Sequence, residues 1–126
     1  MTAEQLRKVS GGVIGHFTPK EIEVDAAKLA VSANTIGLKV PAHKFVVGAY
    51  IKNDADDLAS GGAATVKVTV GSTDVISATG ISDLKGKGVA MLDATPDYAA
   101  AEREVKLTVA TAAYTAGKLI VGVIYA

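Results

Sequence analysis

Strict alternation of apolar and polar residues dominates this sequence. Ala64 to Val70 (ATVKVTV) places Val66, Val68 and Val70 on one side and Thr65, Lys67 and Thr69 on the other. Glu104 to Val109 repeats the pattern, with Val105, Leu107 and Val109 set against Glu104, Lys106 and Thr108. Successive side chains of a strand point to opposite faces, so a period of two marks a half-buried strand. Ile36, Leu38 and Val40 alternate with Gly37 and Lys39 until Pro41 stops the run. Turn residues punctuate these segments: Gly71-Ser72, Gly86-Lys87-Gly88, and the polar stretch 53–62.

Two further segments are apolar on both sides. In Lys44 to Ile51 (KFVVGAYI), strict alternation puts Phe45, Val47, Ala49 and Ile51 on one face and Val46, Gly48 and Tyr50 on the other. In Lys118 to Tyr125 (KLIVGVIY), Leu119, Val121, Val123 and Tyr125 oppose Ile120, Gly122 and Ile124. A sandwich strand normally buries one face and wets the other. A second apolar face must therefore be covered, either by the chain's own N-terminal segment or by another subunit. Otherwise it is an aggregation hazard. Gly48 and Gly122 lie mid-strand in these same runs, where glycine implies a bend or a close approach. Ile120, Val121, Ile124, Tyr125, Val46 and Tyr50 are the expected interface or core residues.

The other segments are shorter. Glu21 to Asp25 alternates and is read as a strand, although Thr18-Pro19 resembles a helix start. Residues 26–33 fit either state. Thr73 to Ala78 reads as another short strand, residues 80–88 read as loop, and Val89 to Leu92 is a short apolar run. Thr95-Pro96-Asp97 has the chemistry to cap a helical turn or two through Ala101, and Thr2 to Val9 that of a short helix. The expected fold is an all-β antiparallel sandwich, jelly-roll-like, with about seven or eight strands. Residues 1–18, with little periodicity, are expected to form an N-terminal arm, and residues 19–126 the sandwich domain.

Composition narrows the function. The chain has 126 residues, the size of one domain. Thirteen basic and thirteen acidic residues leave no formal net charge. That gives no electrostatic reason to seek nucleic acid or an anionic membrane, and it removes the repulsion that keeps copies apart. No apolar run approaches the ~20 residues that span a bilayer. Met1 to Lys8 is polar and lacks the apolar centre of a signal peptide. Cysteine and tryptophan are absent, and aromatic residues make up 5%. Flat platforms for sugars are therefore scarce, and no disulfide or cysteine zinc site is possible.

Catalytic and metal chemistry finds little support. His16 and His43 have no spacing that requires a metal, and solvated loop histidines are commoner. Asn53-Asp54-Ala55-Asp56-Asp57 is the sharpest acidic cluster, but it lacks the order of a calcium loop and reads as a solvated turn. Gly86-Lys87-Gly88 lacks the spacing of a phosphate loop. No Gly-x-Ser-x-Gly elbow occurs, and no Ser–His–Asp set can be singled out. No catalytic, cofactor-binding or metal-binding residue is assigned, no cofactor is expected, and the chain is not read as an enzyme.

Several segments together resemble a known group. Val40-Pro41-Ala42 runs into an apolar strand, and an Asp/Gly-rich turn follows. Then come Ala64-Thr65-Val66-Lys67-Val68-Thr69-Val70-Gly71-Ser72 and Ser82-Asp83-Leu84. Thr115-Ala116-Gly117-Lys118-Leu119-Ile120-Val121 leads to a closing strand ending in Tyr125. Over residues 35 to 126 this layout resembles small virion structural proteins of tailed bacteriophages, of the head-decoration or head-fibre type with a jelly-roll domain. A tail or minor capsid component is an equal possibility. The resemblance implies a homo-oligomer, often a trimer, on the capsid surface, made in the host cytoplasm. Its partner would be the major capsid protein, and it would have no catalytic residues. The N-terminal segment falls outside the match and is an expected arm for gripping the capsid protein or a neighbouring subunit. The rival readings are a carbohydrate- or surface-binding jelly-roll module and a small hydrolase or isomerase on a β-barrel.

Overall fold

A computed structural model describes residues 19–90, 94, 96 and 98–126. The chain runs through β1 (Lys20–Asp25), a 3-10 turn (Ala26–Lys28), β2 (Ala33–Val40) and β3 (Val46–Lys52). It continues through β4 (Ala59–Ser60), β5 (Thr65–Val70), β6 (Thr73–Gly80), a single helical turn α1 (Ile81–Leu84) and β7 (Gly88–Ala90). The last elements are β8 (Arg103–Ala110), β9 (Tyr114–Ala116) and β10 (Lys118–Tyr125). The expected arm and the helix at Thr2 to Val9 lie outside the described residues, as do Thr95 and Asp97; residues 98–101 form no helical turn.

Two four-stranded antiparallel sheets make the sandwich, in the orders β1-β10-β3-β7 and β2-β8-β5-β6. A two-stranded ribbon of β4 and β9 stands beside them. The chain crosses from one sheet to the other after β1, β2, β3, β6, β7 and β8. That alternation interlocks two Greek keys, and the sandwich is jelly-roll-like. The outermost pairing joins β1 to β10, so the first and last strands described lie side by side.

The alternating valines explain the core. Val66, Val68 and Val70 of β5 are buried, as are Val105, Leu107 and Val109 of β8. They meet Leu119, Val121 and Val123 of β10 and Ala49 and Ile51 of β3 from the facing sheet. Each such side chain contributes roughly 1.5–3 kcal/mol when removed from water. Valine and leucine predominate in this core, and Tyr114 adds a buried ring. The β5–β6 connection turns at Gly71, whose φ of 61° is left-handed and therefore suits glycine.

The face assignment in β3 differs from simple alternation. Ile124 pairs with Gly48, but Tyr125 pairs with Val46, so Val47 is an inserted bulge residue. A bulge exchanges the faces of the residues on its far side. Val46 therefore joins Ala49 and Ile51 in the core, while Val47 is 48% exposed and Phe45 is 59% exposed. The loop expected over residues 80–88 contains α1, which carries buried Leu84 into the core.

Candidate functional site

The outer face of the β1-β10-β3-β7 sheet is where the doubly apolar strands present their second side. Register fixes its rows. Glu23, Ile120, Lys52 and Gly88 form one row, and Glu21, Gly122, Tyr50 and Ala90 the next. Ile124 then sits beside Gly48. The strand face is thus apolar along β10 and bordered by carboxylates on β1.

Tyr50 covers the centre of this face. Its ring lies over Gly122 so closely that a Cβ on residue 122 would fall within it. Only glycine permits that approach, which accounts for a mid-strand glycine in β10. The Tyr50 hydroxyl reaches across β10 and donates to the Glu21 carboxylate on β1. Partial burial, the bond to Glu21 and repulsion from its charge all push the Tyr50 phenol above its ordinary pKa. The ring stays neutral, and the clasp ties three strands together. Lys52 Nζ stands 5.9 Å from the centre of the same ring. Gly48 has a simpler role, leaving room for the Ile124 side chain 3.3 Å from where its Cβ would be. Ile120 and Ile124 remain half-buried on this face, while Tyr125 packs against the core. The chain therefore covers the middle of its own second apolar face but not all of it.

A separate aromatic patch lies at the end of this sheet, beyond the bulge. Phe45 and Tyr98 pack with ring centres 4.8 Å apart at an interplanar angle of 37°. His43 lies 5.9 Å from Tyr98, with Nδ1 hydrogen-bonded at 2.8 Å to the Tyr98 hydroxyl. Phe45 exchanges two backbone hydrogen bonds with Ala126, which extends the β3–β10 ladder by one pair. Tyr98 is 49% exposed, so Phe45, Val47 and Tyr98 together offer water an apolar surface. Sequence reasoning placed Phe45 on one face with Ala49 and Ile51 and did not single out Tyr98. Their contact spans 53 positions and depends on both the bulge and the loop after β7, neither of which has a local signal.

The acidic stretch at 53–57 forms a pinned turn. Asn53 is fully buried; its Nδ2 donates to Asp57 Oδ1 at 2.7 Å and to the Lys118 carbonyl at 2.8 Å. Its Oδ1 accepts from Gly86 N at 3.1 Å. Asp56 packs against Gly86, and Asp54 pairs with Lys52 at 3.5 Å. Among the described residues no group of three or more His, Asp or Glu is placed to hold a metal ion. His16 lies outside the described residues, and His43 is engaged with Tyr98. A depression of about 310 Å³ beside Tyr50 is lined by Glu21, Lys52, Gly88, Val89 and Ala90 among others. It brings together one carboxylate, one ammonium and the Tyr50 hydroxyl that bonds to that carboxylate.

No protein-family model matches this chain, and no curated protein matches it. Solved structures do share its fold. A chain in the capsid of Ralstonia phage GP4 superposes with a TM-score of 0.57 at 21% identity, covering 86% of this chain and 81% of that one. A chain in the acid-stable capsid of Helicobacter pylori bacteriophage KHP30 gives 0.55 at 14% identity, covering 86% and 85%. One in the capsid asymmetric unit of cyanophage Pam1 gives 0.55 at 21%, covering 85% and 80%. The sandwich described above is thus an architecture also present in the capsids of three phages.

Proposed function

We propose that this protein is a structural component of a phage virion, one that self-associates and decorates or reinforces a capsid, and that it is not an enzyme. The observation that carries this reading is the fold: similar sandwiches, matched over 85–86% of the chain, occur in three phage capsids. Its physical counterpart is a surface built for contact. One sheet keeps half-buried Ile120 and Ile124 on its outer face and exposes Phe45, Val47 and Tyr98 at its end. A net charge of zero does not oppose packing of like copies.

In this reading the protein is a homo-oligomer, with a trimer favoured, bound to the major capsid protein on the outside of the head. It is made in the host cytoplasm and engages neither nucleic acid nor membrane. Residues 1–18 serve as an arm outside the sandwich of residues 19–126. Burial of apolar surface between copies drives assembly, at roughly 25 cal/mol per Å² before association costs are subtracted. The test is light scattering coupled to size exclusion, with and without purified capsids. The expected result is a stable oligomer that co-elutes with capsids. A monomer at every concentration with no capsid affinity would overturn the proposal.

The exposed Phe45–Tyr98 pair favours one alternative, a carbohydrate- or surface-binding jelly-roll module. Stacked aromatic side chains at the rim of a sandwich can hold a sugar face. Clear hits on a glycan array that vanish in Tyr98→Ala would select that reading instead.

A further inference from the structure

The apolar patch at the end of the first sheet lies close to where residues 1–18 leave the sandwich. Lys20, Val123 and Ala49 stand in one row across β1, β10 and β3. Pro19 is therefore level with Gly48, and the bulge at Val47 lies one step beyond. Two strand spacings, about 10 Å, separate β1 from β3. Phe45 sits at the same end, bonded to Ala126. The chain that precedes Pro19 thus departs beside the exposed Phe45, Val47 and Tyr98.

That segment has a matching composition. Val13-Ile14-Gly15-His16-Phe17 is the most apolar run before Pro19 and abuts it through Thr18 alone. Thr18-Pro19 restricts direction. Proline fixes its own φ near −65°, and the residue before it is pushed into extended conformations. That local preference favours continuation along the line of β1. Folding back across β10 onto the chain's own Phe45 would require a sharp turn at this position. The local sequence therefore favours a neighbouring molecule as the partner of this run.

We infer that Val13–Phe17 of one copy docks on the Phe45–Val47–Tyr98 patch of a second copy, an exchanged arm that covers the apolar end of the sheet. This rests on the self-association proposed above and names the surface through which it acts. The run is apolar apart from His16, and the patch carries the Tyr98 hydroxyl with His43 bonded to it.

The chain has no cysteine, so single cysteines report proximity cleanly. A disulfide needs Cα atoms within about 7 Å. Copies carrying Phe17→Cys are mixed with isotope-labelled copies carrying Val47→Cys and oxidised gently, and the labelled–unlabelled dimer is quantified by mass. The control pair is Phe17→Cys with Asp74→Cys, an exposed position on the other sheet. The expected yield is about tenfold or more above control, since docking raises the local concentration far above that in solution. Phe45→Cys replaces Val47→Cys if circular dichroism shows that variant unfolded. The chain bearing both Phe17→Cys and Val47→Cys supplies the converse test. An intrachain bond at high dilution, without mixed dimer, means that each arm covers its own patch and overturns the inference. A mixed yield equal to control also overturns it. Light scattering of the unmodified chain separates the two proposals: an oligomer without the cross-link refutes the arm contact alone, and a monomer refutes both.

Discussion

Asn53 holds together three segments far apart in sequence. Its side chain is buried and bonded to Asp57, to the Lys118 carbonyl and to the Gly86 amide. Asn53→Ala removes all three bonds and leaves buried polar groups without partners, at about 1–3 kcal/mol for each group stranded. The expected loss is about 2–3 kcal/mol in urea melts. A change below about 0.5 kcal/mol, the range of ordinary surface substitutions, would show that the turn is not pinned. Tyr114 presents the opposite case. Its ring is buried, and its hydroxyl has no hydrogen-bond partner among the described residues. Burial pushes the phenol from 10.0 up to about 12. The unfolded chain therefore ionises first as pH rises. The stability held by neutral Tyr114 is complete below pH 10 and is lost progressively up to about pH 12. Tyr114→Phe should match or exceed the parent in stability at pH 7 and decline less steeply between those limits. Parallel curves for the two proteins in alkaline melts would refute this; Tyr50 titrates in both and cancels.

Strand elements were largely legible because alternation is a property of neighbouring residues. β1, β2, β5, β6, β8 and β10 appear in the sequence as period-two runs or short strand segments, and in β2, β5 and β8 the buried residues are the apolar positions that the alternation selects. What escaped detection depends on partners. The bulge in β3 exists because Tyr125 pairs with Val46, and no local signal at Val47 announces it. β4 and β9 have two and three residues, too few to show a period. Gly122 implied a bend or a close approach, and the approach is made by a ring from a different strand. β10 itself offers a clean comparison between its faces. Leu119 is fully buried, whereas its neighbour Ile120 is half-buried on the outer face. Leu119→Ala should cost about 2–5 kcal/mol, the usual penalty of a core cavity. Ile120→Ser should cost about 1 kcal/mol or less in the isolated fold while weakening self-association. Equal losses in thermal melts would mean that both faces of β10 are core. A stable Ile120→Ser protein that associates as the parent does would remove the outer face from the interface.

At the scale of the molecule, the proposed arm and the sandwich would have separable tasks. Every buried apolar residue of the described core lies between Ala26 and Val123, and the β1–β10 pairing closes the sheet without any residue before Lys20. The sandwich therefore has its hydrophobic driving force in place from residue 19 onward. If residues 1–18 act between copies, removing them should leave folding nearly intact and abolish assembly. A chain beginning at Pro19 should keep its far-ultraviolet circular dichroism and unfold within a few degrees of the parent. It should also run as a monomer where the full chain is an oligomer and fail to bind capsids. The comparison is informative because apolar burial enters twice, once within the sandwich and once between copies, and only the second is concentration-dependent. Loss of the folded signal on truncation would mean that the segment packs onto its own sandwich and completes the core. Unchanged association would place the contact on the sheet face around Ile120 and Ile124 and leave the end patch for another partner.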